Sequence, residues 1–170
     1  MNKLKFFFIA LLVGLIFCAC SSEKDNQDKS SEDPVSAKEV ISAIDKKLKE
    51  LSNDDYVFID LKNPEEVEFF FPMKNLNLEN IKDGYAIQGK RVTQAALIIV
   101  VEGTDAQAAN ELEEAMNRVL SEQVSIWSEY IPDQYDDVKN NTVEREGNFL
   151  AYITSKHVDD LKEAFENHVK

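Results

Sequence analysis

Cysteine is scarce in this chain of 170 residues. The two cysteines are Cys18 and Cys20, and no thiol follows them. The rest of the chain therefore has no disulfide framework, no cysteine metal site and no cysteine nucleophile. Since no disulfide can cross-link it, the folded part must be stabilised by its own hydrophobic core.

Glycine, histidine and basic residues are also few. The five glycines are scattered and form no phosphate-binding loop, and no serine stands in a Gly-x-Ser-x-Gly motif. His157 and His168 stand in one predicted helix, about 16 Å apart along its axis, which is too far to share a metal ion; we expect both to be solvated. Lys and Arg number 19 against 32 Asp and Glu, a net charge of −13, with no basic patch. We predict no catalytic motif, no metal, no cofactor and no nucleic-acid partner.

The chain begins with the pattern of a signal peptide. Lys3 and Lys5 precede an apolar run from Phe6 to Phe17, and Ala19 stands directly before Cys20. A run of about 12 residues spans about 18 Å as a helix, well short of the ~30 Å hydrocarbon layer, which argues against a transmembrane helix. The pattern is typical of a bacterial lipoprotein signal, whose cysteine is acylated and becomes the mature N-terminus.

An ordinary cleaved secretory signal is the alternative. It prefers small residues one and three positions before the cut, but Phe17 stands three positions before Cys20. Phe17 also departs from the leucine usual in lipoprotein signals, so the assignment depends on the pair Ala19–Cys20. We predict lipidation of Cys20, which would anchor the protein to the extracytoplasmic face of the cell membrane.

The remainder divides into a spacer and one domain. Residues 21–34 contain no hydrophobic side chain and predict a disordered tether. We therefore assign residues 1–19 to the signal peptide, 20–35 to acylated Cys20 and its tether, and 36–170 to a single domain.

Hydrophobic periodicity predicts helices and two hairpins in that domain. The segment Asn53–Leu61 is compatible with either a strand or an extended connector. The continuously apolar Ala95–Val101 is typical of a central strand. The first half of the domain is predicted to contain a helix from the capping box Ser36–Glu39 to Leu51, a short helix over 63–71, and strands over 85–93 and 95–101. A long helix then runs from the capping box Thr104–Gln107 to before Pro132, followed by a short turn or helical piece over 132–138. Strands over 142–146 and 148–154 and a last helix capped by Ser155 complete the domain.

This order predicts an α+β fold. Two hairpins form one antiparallel sheet of about four strands, packed against the long central helix and the N- and C-terminal helices, with the helices mainly on one side.

Three short motifs in the C-terminal part carry a family resemblance. They are Arg118-x4-Gln123, Tyr130-Ile-Pro-x-x-Tyr135 and Glu146-Gly-Asn-Phe149. As a set they resemble the DUF4358 family, small bacterial lipoproteins of Gram-positive type whose domain has no known function. The resemblance runs from about Glu79 to the C-terminus; the segment Thr93–Leu97 departs from it, because family members tend to have a Glu there. The resemblance implies a fold and a location but no activity and no catalytic residues.

The same motifs indicate a candidate binding groove. Arg118, Gln123, Trp127, Tyr130 and Tyr135 stand on or beside the predicted long helix. A structural corner, in which both tyrosine rings are buried and their hydroxyls bond to loop backbone, is the alternative.

The densest acidic cluster is formed by Asp133, Asp136 and Asp137. Its spacing lacks the glycine and terminal glutamate of a calcium loop. It is either a polar connector or the acidic centre of a cell-wall-associated hydrolase. Our leading hypothesis is a non-enzymatic, membrane-anchored module that binds another envelope protein or a small ligand; the hydrolase is the alternative.

Overall fold

Five strands form one antiparallel sheet in the order β1-β2-β3-β5-β4. The structure, a computed structural model, describes residues 34–68, 70, 72, 74, 76–130 and 132–170, apart from the side chains of residues 130 and 133. The predicted signal peptide, Cys20 and nearly all of the tether lie outside the described residues. The strands are β1 (Tyr56–Asp60), β2 (Ile81–Gly89), β3 (Leu97–Gly103), β4 (Thr142–Glu146) and β5 (Phe149–Thr154).

Helices precede, separate and follow the strands. The first begins with the predicted capping box, in which Ser36 Oγ accepts the Glu39 N–H at 3.2 Å. In the described part of the chain the helices are α1 (Ala37–Leu51), α2 (Pro64–Val67), α3 (Ala106–Tyr130), α4 (Pro132–Lys139) and α5 (Val158–Val169), with a short 3₁₀ helix at Leu78–Asn80. None of these helices combines the length and the apolar character needed to span a bilayer.

The α+β class and the single antiparallel sheet are confirmed, but the sheet has five strands rather than about four. The additional strand is β1, which the sequence left open between strand and connector. It pairs with β2 from Tyr56 opposite Gly89 to Asp60 opposite Tyr85. Four of its five side chains are half-buried or exposed and only Ile59 is buried, so the strand lacks a regular apolar face.

The prediction that the helices pack mainly on one side is wrong. Leu97, Ile99 and Val101 of β3 face α3, whereas Ile98 and Val100 face α1 and α5. All five are buried, since a strand that is apolar at every position needs cover on both faces. The domain therefore has three layers, with α3 on one side of the sheet and α1 with α5 on the other.

Several element ends differ from the sequence prediction. The strand predicted over 85–93 begins at Ile81 and ends at Gly89, because the residues after Gly89 turn into the connection to β3. The short helix predicted to reach residue 71 ends at Val67, and the side chain of Phe70 enters the core on the α3 side of the sheet.

Two predicted helix caps also differ. Asp105, not Thr104, caps α3, since its Oδ1 accepts the Ala108 N–H at 2.8 Å. Helix α5 begins after His157, and Ser155 Oγ instead accepts the His157 N–H at 3.1 Å. Ser155 therefore shapes the turn before α5 rather than capping the helix.

The second hairpin is confirmed. Strands β4 and β5 pair from Glu146 opposite Phe149 to Thr142 opposite Ile153. Gly147 in the two-residue turn has φ +58°, a conformation that glycine adopts without strain.

Candidate functional site

Four segments meet at one end of the sheet and enclose a pocket of about 270 Å³, which we call the sheet-end pocket. They are the loop after α1, the connection between β2 and β3, helix α4, and the turn between β5 and α5. Its charged lining residues are Asp54, Arg91, Asp137 and Lys156. Each segment thus contributes one charged side chain to the pocket.

Asp54 lies between two cations. Its Oδ1 is 3.6 Å from Arg91 Nη2 and its Oδ2 is 3.8 Å from Lys156 Nζ. Ser52 Oγ donates a hydrogen bond to Asp54 Oδ2 at 2.9 Å and so orients the carboxylate. The side chains of Arg91 and Lys156 are 72% and 53% exposed. Ion pairs this long and this exposed add little to stability, so both cations keep most of their capacity to bind a ligand.

Asp137 is the half-buried acid of the pocket. Burial raises the pKa of the Asp137 carboxyl above its ordinary value, and Asp136 adds to the rise, whereas Lys156 and His157 oppose it. Asp137 accepts no hydrogen bond from any residue that the structure describes. A carboxylate that is partly desolvated and without a donor is costly to the folded state.

Gln94 brings a second unpartnered group. Its amide nitrogen and oxygen are both buried, and neither has a hydrogen-bond partner within the described part of the chain. The side chain lies flat on the backbone of Gly89: a Cβ at position 89 would stand 2.6 Å from Gln94 Cγ and 2.7 Å from its Cβ. Only glycine allows this approach, so Gly89 determines where the Gln94 amide lies.

His157 follows Lys156 in the chain but does not line the sheet-end pocket. Its Nε2 is buried and unpaired among the described residues, and the ring is close enough to Asp137 to lower the pKa of that carboxyl. The expectation that His157 is solvated is therefore wrong, because the residue is half-buried and protein covers its Nε2. Buried polar groups are nearly always paired in native proteins. Asp137 and the Gln94 amide, the two unpaired groups that line the sheet-end pocket, therefore indicate a site for a polar ligand.

The side chain of Gln134 ties helix α4 to another segment of the pocket. Gln134 Oε1 accepts the backbone N–H of Ala95 at 3.1 Å, which ties α4 to the connection between β2 and β3. This bond fixes the distance between the segment that contains Asp137 and the segment that contains Arg91 and Gln94.

The sheet-end pocket offers opposite charges and an amide rather than a metal site. Among the residues that the structure describes, no group of three or more His, Cys, Asp and Glu side chains is placed to hold a metal ion. Arg91 and Lys156 can bind an anionic group, and Asp54 and Asp137 can bind a cationic one. The arrangement is suited to binding a polar molecule.

The residues of the predicted groove lie elsewhere. Trp127 Nε1 donates to Gln123 Oε1 at 3.0 Å on α3, and Lys139 Nζ lies 5.7 Å from the ring centre of Tyr135 on α4. The side chain of Tyr130 lies outside the described residues. Arg118 is exposed and stands about 140° around the helix from Gln123, so α3 does not bring it next to the others. The groove of Arg118, Gln123, Trp127, Tyr130 and Tyr135 as a whole stays a prediction.

The acidic cluster is separated by the structure. Asp137 lines the sheet-end pocket, whereas exposed Asp136 pairs with Lys139 Nζ at 2.9 Å. The side chain of Asp133 is not described. Sequence reasoning thus reached one pocket residue and missed Asp54 and Lys156, whose positions in loops carry no periodic signal.

Together these features define an α+β domain with a five-stranded antiparallel sheet, helices on both faces and a polar pocket at one sheet end. The chain belongs to the family described as Domain of unknown function (DUF4358), which matches residues 59–155. The predicted family is thereby confirmed. No curated protein and no solved structure shows a significant match to the chain.

The family match covers part of the pocket. Arg91, Gln94 and Asp137 lie within residues 59–155, whereas Asp54 and Lys156 lie just outside them. Helices α1 and α5 also lie outside the matched residues. The complete pocket therefore needs segments on both sides of the family match.

Proposed function

We propose that this protein is a lipid-anchored, non-enzymatic module on the extracytoplasmic face of a bacterial membrane, and that it binds a small polar ligand in the sheet-end pocket. The observation that carries the proposal is the meeting, at one pocket, of two exposed cations with the half-buried Asp137 carboxyl and the buried Gln94 amide, both of which lack a hydrogen-bond partner among the described residues. A ligand that pairs with them would recover the free energy that their burial costs.

The small volume supports a small ligand. Pockets for drug-sized molecules measure about 300–1,000 Å³. The sheet-end pocket has about 270 Å³, which suits a metabolite of few heavy atoms better than a polymer. The excess of acidic residues supports a domain that stays clear of anionic lipid headgroups, so that attachment depends on the acyl chains.

The anchor is tested by Cys20→Ser in cells. We expect the variant to lose incorporation of labelled fatty acid completely and to leave the membrane fraction, because serine is not a substrate for the acyl transfer that a lipoprotein signal directs. Metabolic labelling followed by fractionation measures both effects. Cys18→Ser is the matched control and keeps the label. Continued labelling of Cys20→Ser would contradict the proposed anchor.

The pocket is tested by thermal unfolding of the full-length chain in detergent micelles. Amino acids, dipeptides, amino sugars, small carboxylates and inorganic phosphate are added one at a time. A ligand at 100 times its Kd stabilises the folded state by about 2.7 kcal/mol, which raises Tm by about 5–10 °C. We expect at least one of these compounds to produce such a shift and Asp137→Asn to reduce it strongly.

Two controls make the pocket test specific. Glu114→Gln also removes one negative charge, from an exposed position on α3, and we expect it to leave the shift unchanged. Asp137→Asn is expected to fold normally, because burial disfavours the charged form of this carboxyl and asparagine has nearly the same shape. If no compound shifts Tm, or if Asp137→Asn keeps the full shift, the proposed binding function is overturned.

A cell-wall-associated hydrolase is the second candidate. The raised pKa of Asp137 favours it, since a general acid needs a carboxyl that stays protonated closer to neutral pH, and Asp54 is a second carboxylate in the same pocket. Release of new amines or reducing ends from cell-wall fragments, lost in Asp137→Asn, would support the hydrolase over the binding module.

A further inference from the structure

We infer that the ligand of the sheet-end pocket is a small zwitterion with a free ammonium and a free carboxylate, an α-amino acid or a dipeptide, whose ammonium binds Asp137 and whose carboxylate binds Arg91 and Lys156. The inference rests on the proposed function and specifies its substrate class.

The charges of the pocket favour a ligand with both signs. Two carboxylates and two cations line it. A purely anionic ligand would pair with Arg91 and Lys156 but would lie against the half-buried Asp137 carboxylate. A purely cationic ligand would meet the two basic side chains. Only a ligand with both charges leaves neither sign unpaired on desolvation.

The exposure of the side chains gives the ligand a direction. Arg91 and Lys156 are mostly exposed, whereas Asp137 on α4 is half-buried. The ammonium is therefore the group that enters first, and the carboxylate remains near the mouth. The guanidinium of Arg91 can bind both oxygens of a carboxylate at once, which adds geometric selectivity for this group.

The Gln94 amide indicates what lies between the two charges. It offers one unpaired donor group and one unpaired acceptor, which match the C=O and N–H of a peptide bond. Protein covers both atoms, so the Gln94 side chain must turn away from Gly89 to reach a ligand. A dipeptide can use this amide and a single amino acid cannot, so the two ligands are distinguished by Gln94→Leu.

Calorimetric titration of the full-length chain in detergent micelles tests the inference. The probes are L-alanine and L-alanyl-L-alanine, together with N-acetyl-L-alanyl-L-alanine, which lacks the ammonium, and L-alanyl-L-alanine amide, which lacks the carboxylate. We expect a zwitterion to bind and each blocked derivative to bind at least tenfold more weakly, because each leaves one pocket charge without its partner. Gln94→Leu is expected to weaken dipeptide binding and to leave alanine binding unchanged.

Variants assign the two ends of the ligand. We expect Asp137→Asn to weaken binding of the zwitterion at least tenfold and to leave binding of the N-acetyl derivative unchanged. We expect Arg91→Gln to weaken binding of the zwitterion and to leave binding of the amide derivative unchanged. Lys38→Gln removes a positive charge from the start of α1, at the opposite end of that helix from Asp54, and is expected to change nothing. Thermal unfolding of each variant confirms that it is folded.

The outcomes separate this inference from the proposed function. Equal binding of a blocked derivative and the zwitterion overturns the inference. A second outcome is that no zwitterion binds, but a sugar or phosphate raises Tm and Asp137→Asn reduces that rise. This outcome overturns the inference and leaves the proposed binding function intact. Zwitterion binding that neither Asp137→Asn nor Arg91→Gln weakens overturns both, because the ligand then lies outside the sheet-end pocket.

Discussion

A chain cut back to residues 59–155, the segment that the family matches, is expected not to fold. The cut removes α1 and α5, which cover one whole face of the sheet. It also removes Tyr56, Val57 and Phe58 of β1. Six large apolar side chains that the two helices bury on this face are lost: Val40, Ile41, Ile44, Leu48, Leu161 and Phe165.

The free energy lost with these six side chains is large enough to unfold the domain. Burial of one such side chain contributes about 1.5–3 kcal/mol, so six contribute on the order of 10 kcal/mol, which equals the entire stability of a typical domain. The exposed face, with Ile87, Ile98, Val100 and Ile153, would also be a large apolar patch that favours aggregation.

Urea unfolding followed by circular dichroism compares the 59–155 segment with residues 34–170. We expect a cooperative transition for the longer chain and none for the shorter one. Phe165→Ala in the longer chain is the intermediate case and should lower the free energy of unfolding by about 3–5 kcal/mol. A cooperative transition for residues 59–155 would show that the helices outside the family match are dispensable.

Tyr152→Ala is expected to lower the free energy of unfolding by about 3–5 kcal/mol. Tyr152 is fully buried in the core on the α3 side of the sheet. Its Oη lies 2.7 Å from Thr154 Oγ1 and accepts the Asn141 side-chain N–H at 3.2 Å. Alanine would leave a cavity and two polar groups without their partner.

Tyr152→Phe separates the contribution of the buried ring to stability from that of the hydroxyl and its hydrogen bonds. It keeps the ring and removes only the hydroxyl, so we expect a loss of about 1–2 kcal/mol. Burial raises the pKa of the Tyr152 phenol above 10.0, and its hydrogen bonds only partly oppose this. Ionisation is therefore easier in the unfolded chain, and stability falls as the pH rises above 10.0. Urea unfolding at neutral and alkaline pH should show a smaller alkaline loss in Tyr152→Phe; an equal loss would contradict this assignment.

The fold class was predictable because its main signals are local. Spacing alone predicts three elements: α1 from its apolar stripe, β3 from its continuous apolar run, and α3 from apolar residues that recur at helical spacing over a long segment. The side of the sheet on which each helix packs was not predictable, since a helix with one apolar stripe satisfies either face. Strand β1 was not decided because its stability comes from pairing with β2, which lies more than twenty residues away.

The sheet-end pocket was largely hidden from sequence reasoning. Its residues come from four segments that meet only in the folded domain, and none of the segments has a motif. The acidic cluster pointed to Asp137, but nothing in the spacing separates it from Asp136, whose side chain faces solvent. The contact between Gly89 and Gln94 is a matter of backbone approach, which a sequence does not reveal.

Helix α1 separates the place where the chain enters the domain from the place where a ligand would bind. Its 15 residues measure about 22 Å, with Ser36 at one end and the loop that contains Asp54 following the other. Ser36 thus lies about a helix length from the loop that contains Asp54. The domain can be immobilised or labelled through its N-terminal side, on a sensor chip or a fluorophore, with its binding end left open to solution.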